Sequence, residues 1–214
     1  MSAAVALLDE AGEQGLTFRA LAARLGGGVA SIYWYVSSKD DLLDRATDHV
    51  LEGVLADTGR FTRSADPIDG IRSIAWTMFD AIADRPWLSR YFMRDTGLQP
   101  HGLLLYERVG QQVLRLGLGP RESFHAVSAV VGFVVGIAAD MGQTPPQEVL
   151  DGDVSREEYM QRFADRWREL DVEEYPFLHH VVDEFAHHDD TEQFRAGLDL
   201  LLAGLRLQAQ QAAG

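Results

Sequence analysis

The chain has 214 residues, 46% hydrophobic and 24% charged, a soluble globular composition long enough to bury a real core in one large domain or two small ones. It has no cysteine, which excludes a disulfide framework and a thiolate zinc site, and its longest apolar run, Ala126 to Ala139, is 14 residues, too short to span a bilayer. The formal charge of −14 is awkward for a binder of nucleic acid, so such a partner would have to meet a segregated local patch.

Ser2 to Ala11 predicts a first helix, with Val5, Leu7 and Leu8 available for packing and Gly12 and Gly15 ending it. The acidic pair Asp9-Glu10 makes this stretch unlike a signal peptide, and we expect a cytoplasmic protein. Residues Leu16 to Lys39 then contain no Asp or Glu and carry Arg19, Arg24 and Lys39, a local charge of +3. Thr17 is a plausible N-cap for a helix bearing Leu21, Ala22 and Leu25, and Gly26 suits the left-handed position that ends it. A second short helix is expected from about Val29 to Val36, with Ile32, Tyr33 and Val36 facing a core. Two short helices joined by a Gly-bearing turn make a helix-turn-helix unit, whose second helix fits the DNA major groove.

The residues LTFRALAARLG and SIYWYVSSKDDLL resemble the TetR family of transcriptional regulators. The specific part is the run Ile32-Tyr33-Trp34-Tyr35 followed by Ser38-Lys39 and Leu42-Leu43. The resemblance implies that Thr17, Tyr33 and Lys39 contact phosphates, that Arg19 reaches a base edge, that Ser31 and Tyr35 face the groove and that Trp34 packs or flanks the backbone. Two departures stand out. Family members usually carry a basic arm before a longer first helix, whereas Met1 sits almost at the start of this one. The triplet Gly26-Gly27-Gly28 offers no side chains for base contact, so direct readout falls mainly to Val29, Ala30, Ser31 and Tyr35, with Arg19 reaching in from the preceding helix. Residues 1–49 hold seven acids and four bases, net −3, so binding depends on how the charges are segregated and should be salt-sensitive.

Asp40 to about Ala56 is the next helix, capped by Ser37 or Ser38, and the polar stretch Asp57 to Pro67 is the expected domain boundary. Beyond it every element reads as helix. Ile68 to Arg85 presents Ile71, Ile74, Ala75, Met78, Phe79 and Ile82 on one side, and Trp87 to about Thr96 is a short apolar helix with Leu88, Tyr91 and Phe92. His101 to Leu116 offers Leu103, Leu104, Tyr106, Val109, Val113 and Leu114 as core. The helix from about Arg121 to Met141 is apolar almost all round, which argues for burial on more than one side. Its stripe Ser128, Gly132, Gly136 lets another helix approach closely, and the last helix, Thr191 to about Gln210, offers Phe194, Leu198, Leu201 and Leu205. These two helices are expected to form a homodimer interface about a two-fold axis. Between them we expect a mobile loop, Gln143 to Val154, then helices from Ser155, which starts a capping box with Glu158, to Leu170 and from Phe177 to His188.

RPWLSRYFM, LYERVGQQVLRLGL, AVSAVVGFVVGIAADM and EQFRAGLDLLLAGL are similar to the ligand-binding domain of the tetracycline-repressor branch. In that branch a carboxylate near Asp140 helps hold a magnesium-bound drug, but no histidine ligands can be placed with it here. Ligand pockets are mostly apolar with a few polar groups, and Met78, Phe79, Trp87, Tyr106, His125, Ser128 and Asp140 are the expected lining. His180, Glu184 and His188 share a helix face that suits a divalent metal, but such exposed pairs are also ordinary solvated surface, and no metal or other cofactor is expected. No catalytic constellation is evident.

The chain is therefore expected to be an all-α protein. An N-terminal three-helix helix-turn-helix DNA-binding domain spans residues 1–50, and a C-terminal helical ligand-binding and dimerisation domain spans 67–214. The partners expected are a double-stranded DNA operator, a small-molecule effector and a second copy, with no membrane. The alternative is a helical small-molecule-binding or interaction module whose DNA-binding head is weakened.

Overall fold

The computed structural model describes residues 1–89, 99–141 and 146–212. Among them every regular element is helical: α1 (Ser2–Gly15), α2 (Phe18–Leu25), α3 (Val29–Ile32), α4 (Lys39–Thr58), a 3-10 turn (Gly59–Arg63), α5 (Pro67–Ala83), α6 (Pro100–Leu114), α7 (Pro120–Met141), α8 (Gln147–Leu150), α9 (Arg156–Arg168), α10 (Pro176–His187) and α11 (Asp190–Ala212). The apolar helix expected from Trp87 onward, with Tyr91 and Phe92, falls mainly outside the described residues. The chain divides into two compact units, residues 1–142 with 198–214, and residues 143–197.

In the first unit, α1 to α4 close on a core of Ala4, Leu7, Leu8, Leu16, Leu21, Ala22, Ile32, Val36, Leu42, Leu43 and Ala46. The ends of these short helices are set by side chains. Thr17 accepts a hydrogen bond from the Ala20 amide at 3.1 Å, and Ser38 accepts one from the Asp41 amide at 3.1 Å. Gly26, at φ 68°, lets its own amide reach the Ala23 carbonyl and the Gly27 amide reach Ala22, which satisfies the last carbonyls of α2. The polar stretch 57–67 lies inside this unit. There α4 runs on to Thr58, the 3-10 turn follows, and Asp66 caps α5 through the Ile68 amide at 2.8 Å.

Next come α5, α6 and α7, which pack on one another. The α5 face of Ile68, Ile71, Ile74, Ala75, Met78, Phe79 and Ile82 is buried, as the spacing predicts. On α6 the buried stripe is Leu105, Val109, Gln112 and Val113, while Leu103, Leu104, Tyr106 and Leu114 are exposed. Of the core expected on this helix, Val109 and Val113 are buried, and Leu103, Leu104, Tyr106 and Leu114 are not. Gln112 takes a core position because it donates to the Thr62 carbonyl and accepts from Arg115, so both ends of its amide are satisfied.

On α7 only one side is buried, through Val127, Val130, Val134, Val135 and Ala138, which corrects the expectation of burial on more than one side. Among the described residues this is also the one helix long and apolar enough to cross a membrane, and only 33% of its apolar window is buried within the chain.

The second unit is built on the α9–α10 hairpin. The hairpin closes on a small cluster of Ala164, Val182 and Ala186, with Trp167 and Phe185 stacked beside them at 4.0 Å between ring centroids. Ser155 and Glu158 form the expected capping box at the start of α9. Where a mobile loop was expected, residues 147–150 form the short helix α8, and Glu148 on it pairs with Arg162 at 2.8 Å.

Candidate nucleic-acid interface and effector site

The short helix α3 is held from below. Ile32 and Val36 are buried, and every other side chain from Val29 to Tyr35 is exposed. Trp34 is 88% and Tyr35 76% exposed, which is unusual for such large rings. Regular helix ends at Ile32, four residues short of the expected Val36. The chain continues as a tight turn in which the amides of Tyr35 and Val36 both return to the Ile32 carbonyl. Tyr33 packs edge-on against Phe18 of α2, with ring centroids 4.8 Å apart, so its ring is braced although the residue is exposed. Tyr33 was expected to face the core; it is exposed instead.

The cations of this head are not equivalent. Arg24 pairs with Glu10, which holds the Glu10 carboxyl below and the Arg24 guanidinium above their ordinary values. The Lys39 ammonium donates to the Glu13 carbonyl at 2.7 Å, and Arg45 pairs with Asp41 at 2.6 Å. Arg19 is exposed and makes no hydrogen bond or ion pair among the described residues. The residues expected to touch DNA, Thr17, Arg19, Val29, Ala30, Ser31, Tyr33, Trp34, Tyr35 and Lys39, all lie on the exposed surface of α2, α3 and their flanks.

The residues expected to line an effector pocket are scattered. Met78 and Phe79 are wholly inside the α5 core. Trp87 packs against the head core and donates its indole N–H to Asp9 at 2.7 Å, which is structural work. Tyr106 and Ser128 do come together, with hydroxyls 3.4 Å apart, and His125 and Asp140 are exposed on the same helix as Ser128. None of the seven lines either of two described clefts. One cleft, about 400 Å³, is apolar and lies beside Leu21, Leu25, Ile32 and Tyr35. The other, about 720 Å³, is bordered by α1, α4 and α5 and lined by Asp9, His49, Asp57, Arg60, Asp80 and Arg85 among others. In it burial, and then the neighbouring Asp84 charge, raise the Asp80 carboxyl above its ordinary value.

Ties from α4 and its 3-10 extension to α6 were not anticipated from the sequence. The Asp48 carboxylate accepts from the His101 amide at 2.9 Å and lies 2.8 Å from its ring nitrogen. Arg108 donates to the Thr58 hydroxyl at 2.7 Å and to the Leu55 carbonyl. These pairs are 50 to 53 residues apart in sequence, so helical periodicity within one element carries no trace of them.

Of the expected dimer residues, Ser128, Gly132 and Gly136 are exposed, and a Cβ added at either glycine would meet nothing within 4 Å. Phe194, Leu198 and Leu205 are buried within the single chain and Leu201 is half-buried, so the α11 face assigned to a second copy is corrected. The outward face carries Leu200, Ala203, Gly204 and Leu207 instead, with Leu200 77% exposed. On the α10 face, His187 and His188 bond to backbone carbonyls of their own helix. No group of three or more possible metal ligands is assembled among the described residues.

Residues 68–209 match the tetracyclin repressor-like C-terminal domain, and residues 1–46 match the bacterial regulatory proteins of the tetR family. The Streptomyces coelicolor transcriptional regulator SCO7222, described as a TetR, is 34% identical in sequence, with a TM-score of 0.79 over 96% of this chain and 95% of that one. The HTH-type transcriptional repressor DrrR1 of Streptomyces coeruleorubidus is 27% identical over 100% of this chain and 78% of its own length. An HTH-type transcriptional regulator of Saccharopolyspora erythraea is 33% identical, but the match covers 64% of this chain and only 56% of that protein.

Proposed function

The chain belongs to the TetR family, and from that premise we propose that it is a homodimeric operator-binding repressor released from DNA by a small molecule. The observation that carries this reading is the outward face of α2 and α3, fixed on a closed core, with Arg19 left unpaired. A weakened head is the poorer account, because the caps and core that hold that face are intact. The protein acts by binding rather than by catalysis, and in the cytoplasm.

Residues 1–50 are read as the DNA-binding domain and residues 67–214 as the effector-binding and dimerisation domain. Tyr106, Ser128, His125 and Asp140 supply the polar contacts to the effector. The exposed small-residue stripe of α7, with Leu200, Ala203, Gly204 and Leu207 of α11, meets the same surface of a second copy. Two heads would then read successive major grooves about 34 Å apart. An effector moves this system only by its different affinity for the DNA-competent and the released states. The Asp48–His101 and Arg108–Thr58 contacts supply a physical route from α6 to α4.

Sequencing the genomic fragments that the protein retains, with and without candidate effectors, tests the reading. Near-palindromic sites lost on effector addition are expected; retention without sequence preference overturns it. Gly132→Leu tests the dimer: Gly132 is exposed and an added Cβ meets nothing within 4 Å in the single chain, so the variant should stay folded and sediment as a monomer. An unchanged dimer would put the interface elsewhere.

A further inference from the structure

We infer that this protein reads its operator chiefly through thymine 5-methyl groups, with Arg19 supplying one guanine contact per half-site. The inference rests on the operator-binding reading above and specifies the DNA it takes.

Each base pair shows a distinct pattern in the major groove: acceptors on guanine, a donor on cytosine, a donor and an acceptor on adenine, an acceptor and a methyl on thymine. Adenine is read best by the side-chain amide of Asn or Gln, and cytosine by a carboxylate. The whole chain has no asparagine, and residues 16–39 contain no Gln, Asp, Glu or His. A side-chain amide or carboxylate is therefore absent from α2, α3 and the turns beside them. Guanine is read best by a cation. Arg24 is held by Glu10 and Lys39 by the Glu13 carbonyl, which leaves Arg19.

What remains exposed on α3 and the turn after it is Val29, Ala30, Ser31, Trp34 and Tyr35, with Tyr33 braced against Phe18. Ser31 carries a hydroxyl that both donates and accepts, so it discriminates weakly. Val29 and Ala30 have only methyl groups to offer. Nothing on a base edge complements a methyl group except the thymine methyl. Gly26, Gly27 and Gly28 add no side chain but let the backbone before α3 come close, so that these short side chains can reach the groove floor. The Tyr35 ring, 76% exposed with its neighbour Trp34 more so, extends the apolar surface at the far end.

The test uses the full-length protein and the best fragment found by selection from random DNA. Thymines of the half-site are replaced one at a time by deoxyuridine, which removes the methyl and leaves pairing unchanged. At two or more positions affinity should fall about fourfold per methyl, the weight of one buried carbon. Affinity for random duplex should stay the same. Val29→Ala, at an exposed site that the fold does not depend on, should bring the thymine-to-uracil ratio at one position close to unity. If the selected fragment binds no better than random DNA, the operator-binding reading fails and this inference with it. If sequence preference is strong and survives every deoxyuridine replacement, the inference alone is overturned.

Discussion

The head and the α9–α10 hairpin are both small helical assemblies, yet they are held by different means. The head buries eleven apolar residues, six of them leucines. The hairpin buries Ala164, Val182 and Ala186 and adds one stacked ring pair. Surface ion pairs tie it further, with Arg168 reaching Asp165 and Asp183 at 2.7 and 2.6 Å and Arg162 reaching Glu148. A filled core fixes which side chains must face outward, because any rotation of a helix would expose leucines. A thin core leaves that choice to contacts that water and salt can replace. Exposed residues of the head can therefore be read as a surface kept for a partner, and those of the hairpin cannot.

If the head core is what holds α3, thinning that core should release the helix. Leu43→Ala removes a fully buried side chain and should cost about 2–5 kcal/mol, abolishing DNA binding through loss of the head. Amide exchange should show opening in residues 1–50, with the hairpin unchanged. Equal opening of both regions would mean that they unfold as one. Trp167→Ala is the counterpart in the hairpin. It should cost at least the roughly 0.5–1.5 kcal/mol of an aromatic pair, with faster exchange in α9 and α10.

Of comparable size, but read in binding rather than folding, is Arg19→Ala. It should lower specific operator affinity by roughly 1–3 kcal/mol at constant melting temperature. Equal losses on operator and random DNA would remove Arg19 from the base edge. Lys39→Ala should weaken all sequences alike and flatten the salt dependence. Its ammonium has to keep or exchange its bond to the Glu13 carbonyl when a phosphate arrives, which makes the effect smaller than that of a free cation.

The head was legible in the sequence because its signals are local. A cap at Thr17, a left-handed Gly26 and the apolar residues Leu21, Ala22 and Ile32 each act within a few positions. The body was legible in its helix boundaries, to within a few residues, but less so in its faces. On α6, apolar residues occupy both sides, so spacing alone could not choose between Leu104 and Leu105 as core; packing against α5 and α7 chose Leu105. On α11 the Leu-rich run 198–207 likewise has leucines on every side, and Leu198 and Leu205 went inward while Leu200 and Leu207 stayed out. Asp48 with His101 is a contact between distant helices, and nothing in either local sequence announces it.

The smallest expected effect concerns how the head answers to acid. Asp41 sits in the first turn of α4, where its carboxylate accepts from Arg45 at 2.6 Å and from the Ser37 amide at 2.8 Å. The Arg45 hydrogen bond first, and the Ser37 amide next, hold its carboxyl below the ordinary value of 3.8. A carboxyl depressed in the folded state stabilises it fully above the unfolded value and loses that contribution as the pH falls through the folded one. Asp41→Asn should therefore cost up to about 1 kcal/mol near neutral pH, as for a partly exposed ion pair. That difference should shrink only below about pH 4 and vanish in stronger acid. The hairpin supplies the control, since its pairs lie outside the head: local exchange in α9 and α10 should not respond to Asp41→Asn at any pH. A difference between Asp41→Asn and the parent chain that persisted below the folded value would show that the carboxylate's charge is not what holds the start of α4. The Ser38 cap and the buried leucines beneath would then be what holds the outward surface of the head.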